Sequence, residues 1–96
     1  MRVVCPPNFV REALAQEGPV RDGLSKMLRI ASDLSFADLL KHQGVHLEKL
    51  TGKTDPVTKK PLYSLRATRA ARVIALVDGD TLVLLTVVSD HDKAYK

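Results

Sequence analysis

The chain has 96 residues, 45% of them hydrophobic and 27% charged, with a formal net charge of +4. That length accommodates one domain around one core, and the balance of apolar and charged residues excludes a compositionally disordered chain. No apolar stretch reaches the roughly 18 residues of a membrane span, the N-terminus MRVVCPPNF lacks a signal-peptide pattern, and the single cysteine excludes an intrachain disulfide and a cysteine-based zinc site, so a folded cytoplasmic protein is expected.

Arg2 to Cys5 is a short β-branched run stopped by Pro6 and Pro7, neither of which can donate a ladder hydrogen bond, so it reads as a first strand with Cys5 as a small buried hydrophobe. Asn8 is the expected cap of FVREALAQ, where Phe9, Val10, Ala13 and Leu14 repeat at helical spacing up to Gly18-Pro19. Val20, Leu24, Met27, Leu28 and Ala31 mark a second amphipathic helix, and the short connection makes the two a helical hairpin. SFADLLKHQ reads as a short capped helix that stops at Gly44, and TGKTDPVTKKP as a loop. From Leu62 the period changes to that of strands: LYSLRAT, ARVIALV and TLVLLTVV, the last two joined by the hairpin signal Asp78-Gly79-Asp80 with Gly79 at positive φ. TLVLLTVV is apolar on both faces, which predicts a central strand. The expected fold is α+β, a single domain over residues 1–96 in which an N-terminal strand and a helical hairpin pack on an antiparallel sheet with a C-terminal three-stranded meander.

Charge is unevenly distributed. Residues 1–50 carry seven Lys or Arg against six Asp or Glu, whereas Lys53, Lys59, Lys60, Arg66, Arg69 and Arg72 face Asp55 alone between positions 53 and 72. A local excess of this kind attracts polyanions, nucleic acid above all, although a solvated face kept for solubility has the same composition. Strand alternation places Leu62, Ser64 and Arg66 on one face and Arg72, Ile74 and Leu76 on one face of the next strand. With helices covering one side of the sheet, mid-strand arginines belong on the open side, where charge need not be buried unpaired. His91 and Tyr95, just past the last strand in SDHDKAYK, are expected at its rim. Guanidinium groups bind phosphate oxygens and stabilise the charge of a pentavalent phosphorus, a histidine protonates a leaving oxygen, and a tyrosine stacks on an unpaired base. His42 and His46 flank Gly44 but have no third ligand spaced nearby, so neither a metal nor any other cofactor is expected.

HLEKLTG, LYSLRAT, the arginine of ARVIALV and the ending DHDKAY together resemble the RelE/ParE superfamily of toxins from toxin-antitoxin pairs. The resemblance spans the chain in element order and residues 46–95 in motif. It implies a metal-independent endoribonuclease that cleaves mRNA, often on the ribosome, through attack of a 2′-hydroxyl on the adjacent phosphate, inhibits translation, and is neutralised by a cognate antitoxin. By the same resemblance, Arg66 and Arg72 neutralise the scissile phosphate, Glu48 is the general base, His91 the general acid and Tyr95 the terminal aromatic; from their charge alone, Lys53, Lys59, Lys60, Arg69 and Lys93 are expected as non-specific RNA phosphate contacts.

Each role has a structural counterpart: Arg66 or Arg72 in an ion pair with a helix carboxylate, Glu48 in a solvated pair with Lys49, Tyr95 packed over the core, and Asp90-His91-Asp92 as a polar turn. The family's usual histidine and arginine before the tyrosine are replaced here by Asp90 and His91. The D-H-D ending is similar to a subgroup ending H-D-x-A-Y that is fused to or encoded near larger proteins such as helicases. Two further readings of the same fold are a ParE-like topoisomerase inhibitor without nuclease activity and a catalytically silent protein-binding module.

Overall fold

Pro6 and Pro7 end the first strand early and start the first helix. In the computed structural model, which describes residues 1–89, β1 covers Arg2–Val4 and α1 covers Pro7–Leu14. Pro6 is the N-cap and Pro7 opens the helix, where a missing N–H costs nothing. Asn8 therefore lies inside the first turn rather than at the cap, its Oδ1 accepting from the Arg11 guanidinium. Gly18 and Pro19, expected to close α1, instead begin α2 (Gly18–Asp33), because a proline in the first turn is an initiator as readily as a breaker. Cys5 falls beyond β1 and is exposed, contrary to the expectation of a buried thiol.

Ser35 caps α3 (Phe36–Lys41) by accepting from the Asp38 N–H at 3.2 Å, so the short helix forms as expected but ends three residues before Gly44. β2 covers Glu48–Thr54, β3 Pro61–Thr68, β4 Ala71–Asp78 and β5 Thr81–Ser89. β2 is the largest departure from the sequence reading, which began the loop at Thr51. Gly52, at φ 74°, and the step in register between Lys49 and Thr54 let a turn-rich segment remain paired to β3. Gly79 sits at φ 61° in the β4–β5 hairpin, as the Asp78-Gly79-Asp80 signal requires.

The sheet order is β1-β5-β4-β3-β2. The last three strands form the expected antiparallel meander, β2 extends it beside β3, and β1 adds to β5 in parallel. β5 thus lies inside the sheet, consistent with its two apolar faces, though one strand from the edge. The helices do not pair mainly with each other: α1 packs on β5 and α2 on β3.

One face of the sheet and all three helices share the core. Phe9, Leu24, Met27, Ala31 and Leu39 from the helices meet Leu65, Val73, Ala75, Leu82 and Leu84 from the strands. Each fully buried large side chain there contributes about 1.5–3 kcal/mol of transfer free energy. Leu65, Val73 and Ala75 point into this layer, so alternation turns Ser64, Arg66, Arg72 and Ile74 to the opposite face. Among the described residues no helix lies over that face, and none is long and apolar enough to cross a membrane.

Candidate functional site

The register of β3 and β4 sets Arg66 directly opposite Arg72, two positions from the Ser64–Ile74 pair. Both arginines lie on the open face, and Arg72 Nη1 donates toward Ser64 Oγ at 3.5 Å. Neither makes an ion pair among the described residues, so the helix carboxylates weighed as their partners are not engaged. Directly opposed like charges are destabilising in a sheet.

Glu48 reaches the same face from β2. Val45 and Leu47 are buried in the core while His46 and Glu48 are exposed, and Glu48 is opposite Ser64 in the β2–β3 register. The result is an open concavity of about 340 Å³ lined by Glu48, Leu50, Ser64, Arg72, Ile74 and Val88. Three polar residues, Glu48, Ser64 and Arg72, and three apolar ones share its lining. Glu48 does not form the expected pair with Lys49. Its Oε2 lies 2.9 Å from Nε2 of His46. No sequence role had been given to His46 beyond a discarded metal ligand, yet the H-x-E spacing at the start of a strand was legible as two side chains on one face.

The basic residues are divided between the two ends of the sheet. Arg69, exposed in the turn between β3 and β4, joins Arg66 and Arg72 at one end. Asp78 and Asp80 flank the hairpin at the other. Lys60 is at that second end, 3.3 Å from Asp78, and stands roughly 20 Å from Arg66 along β3 at about 3.3 Å per residue. Lys59 belongs to the same loop at φ 63°, and Lys53 is exposed on β2. Lys59 and Lys60 are therefore separated from the arginine pair. Arg66 also borders a smaller cleft of about 120 Å³, with Lys26 and Gly23 of α2 and with His42. His91, Lys93 and Tyr95 lie outside the described residues. Among the described residues no cluster of three or more His, Cys, Asp or Glu side chains is arranged to hold a metal ion.

No family model and no curated protein matches the sequence. Solved structures do match. A chain of the RelB-RelE antitoxin-toxin complex from Methanococcus jannaschii superposes with a TM-score of 0.70 at 15% identity, covering 96% of this chain and 95% of that one. A copper-bound point mutant of a toxin from Helicobacter pylori gives 0.56 at 14% identity, covering 96% and 97%. The archaeal RelE-RelB complex from Pyrococcus horikoshii gives 0.55 at 20% identity, covering 92% of each chain. Near-complete coverage in both directions at such low identity means that the fold is shared as a whole, and the chain has the α+β fold of RelE toxins.

Proposed function

We propose, starting from the shared RelE fold, that this protein is a RelE-like toxin: an endoribonuclease that cleaves mRNA without a metal ion, arrests translation, and is held inactive by an antitoxin. The observation that carries this reading is that Arg66 and Arg72 stand opposite each other with no ion pair among the described residues, and that Arg72 and Glu48 line one open concavity. Two guanidinium groups take opposite sides of one phosphodiester and stabilise the additional charge that develops as a 2′-oxygen adds to phosphorus. Glu48 furnishes the basic side of the site, where the 2′-hydroxyl gives up its proton. The 2′-oxygen–phosphorus bond forms as the phosphorus–5′-oxygen bond breaks, leaving a cyclic phosphate and a 5′-hydroxyl.

An antitoxin partner is supported by two of the structural neighbours, which are antitoxin-toxin complexes. The basic end around Arg66, Arg69 and Arg72 suits an acidic or amphipathic segment that would occlude RNA.

The test is incubation of the purified protein with single-stranded RNA and with a translating extract, in the presence and absence of chelator. The reading expects chelator-resistant cleavage with cyclic-phosphate ends and loss of translation. Intact RNA together with inhibited supercoiling by a topoisomerase would assign the protein to the ParE-like alternative. Intact RNA with no inhibition of either process would leave a binding module.

A further inference from the structure

We propose that the proton acceptor of this site is the ring of His46, oriented by Glu48, and not the Glu48 carboxylate alone; the inference rests on the ribonuclease reading. Three observations on the described residues point to it. The first is the 2.9 Å contact between His46 Nε2 and Glu48 Oε2. A carboxylate is acceptor-only, so it fixes the neutral ring as the Nε2–H tautomer and leaves Nδ1 with a free lone pair.

The second is position. Arg66 donates its backbone N–H to Val45 O at 2.6 Å, so the segment just ahead of β2 runs beside Arg66. His46 is exposed, and its contact with Glu48 brings the ring to the edge of the concavity that Glu48 lines with Arg72. The imidazole thus adjoins Glu48, which pairs with Ser64 in the row next to Arg72.

The third is backbone geometry. His46 adopts φ 50°, a left-handed conformation that few residues other than glycine tolerate and that recurs where surrounding structure imposes it at functional sites. Its N–H donates to His42 O at 3.0 Å, and the Val45 N–H donates to His42 Nδ1 at 3.1 Å, so a hydrogen-bonded turn holds the unusual residue in place.

Histidine is the side chain most often used as a general base, and a neutral ring held in one tautomer presents its other nitrogen to the proton it takes. In the step, Nδ1 takes the 2′-hydroxyl proton as the 2′-oxygen bonds to phosphorus, the 5′-oxygen leaves with a proton from solvent water, and Glu48 stabilises the resulting imidazolium. His46 then returns its proton to water.

The experiment is the rate of single-stranded RNA cleavage by the wild type, Glu48→Gln and His46→Gly, the last repeated with imidazole in the buffer. Glycine is chosen because it accepts φ 50° and leaves room for the added ring. The inference expects a loss of about 10²–10⁴-fold in His46→Gly with partial recovery on adding imidazole, and a smaller loss in Glu48→Gln. Wild-type rates in His46→Gly overturn it, as does a slow His46→Gly that imidazole does not restore. Either result leaves the nuclease reading standing with Glu48 as the base. A wild type that cleaves no RNA sinks that reading, and this inference with it.

Discussion

Arg66 and Arg72 face each other across the β3–β4 ladder on the side of the sheet opposite the helices, with no carboxylate paired to either among the described residues. Opposed like charges cost a sheet a few tenths to about 1 kcal/mol. Replacing Arg66 by Met is therefore expected to leave the urea midpoint unchanged or to raise it by up to that amount and, on the ribonuclease proposal, to lower RNA cleavage by about 10²-fold or more. Inorganic phosphate should raise the wild-type midpoint more than that of the variant, because an anion between the guanidinium groups binds only the folded state. A variant that is both unstable and active would show that the pair supports the fold instead.

Glu12 closes a gap in β5. The register between β4 and β5 steps at Ile74 and Ala75, leaving Leu85 unopposed, and past this bulge Glu12 Oε1 accepts from Val87 N–H at 3.1 Å and from Thr86 Oγ1 at 2.5 Å. Glu12→Ala strands that partly buried N–H and is expected to cost about 1–3 kcal/mol in chemical denaturation. Glu12→Gln keeps an oxygen acceptor and should lose less. Equal losses in the two variants would mean that charge, and not the acceptor, is what β5 requires.

Gly23 brings α2 against β3. A Cβ at this position would lie 2.3 Å from the Ala67 carbonyl oxygen, and that atom belongs to the backbone. Alanine is better than glycine in a helix by about 1 kcal/mol, yet Gly23→Ala is expected to lower the thermal midpoint, since displacing the helix costs on the order of 1–3 kcal/mol. Because α2 packs behind the strand that bears Arg66, RNA cleavage should decline as well. An unchanged or raised midpoint would show that the helix shifts at no cost.

Asp55 organises the β2–β3 loop. Its carboxylate accepts from the Thr58 N–H at 2.8 Å, the Thr58 hydroxyl at 2.9 Å and the Val57 N–H at 3.2 Å, and the Thr58 backbone hydrogen bond is the foremost cause of a pKa below the usual 3.8. A lowered folded-state value means that the contribution is present above the unfolded value and is lost as pH falls through the folded one. The Thr58 amide resonance is accordingly expected to titrate with a midpoint below 3.8, and Asp55→Ala to remove that titration. A midpoint at or above 3.8 would contradict the turn.

Much of this was legible in the chain. The 3.6-residue spacing of Leu24, Met27 and Ala31 and the alternation around Leu65 and Val73 each require a single buried face, and burying those faces against each other yields helices on one side of a sheet. The same alternation already assigned Arg66 and Arg72 to the uncovered side. Local patterning does not carry what depends on partners distant in sequence. Thr51 to Thr54 has the composition of a loop and becomes strand because β3 offers it hydrogen bonds; Pro7 and Pro19 begin helices that the chain alone equally allows them to end. His46 has no catalytic role in the sequence for the same reason: Glu48 stands two residues away in the chain, but the concavity that Glu48 lines with Arg72 exists only once β2 is paired. Amphipathic period is a property of neighbouring residues and determined the layers of this protein by itself. Register is a property of two strands at once, and only the folded sheet decided which charges stand together.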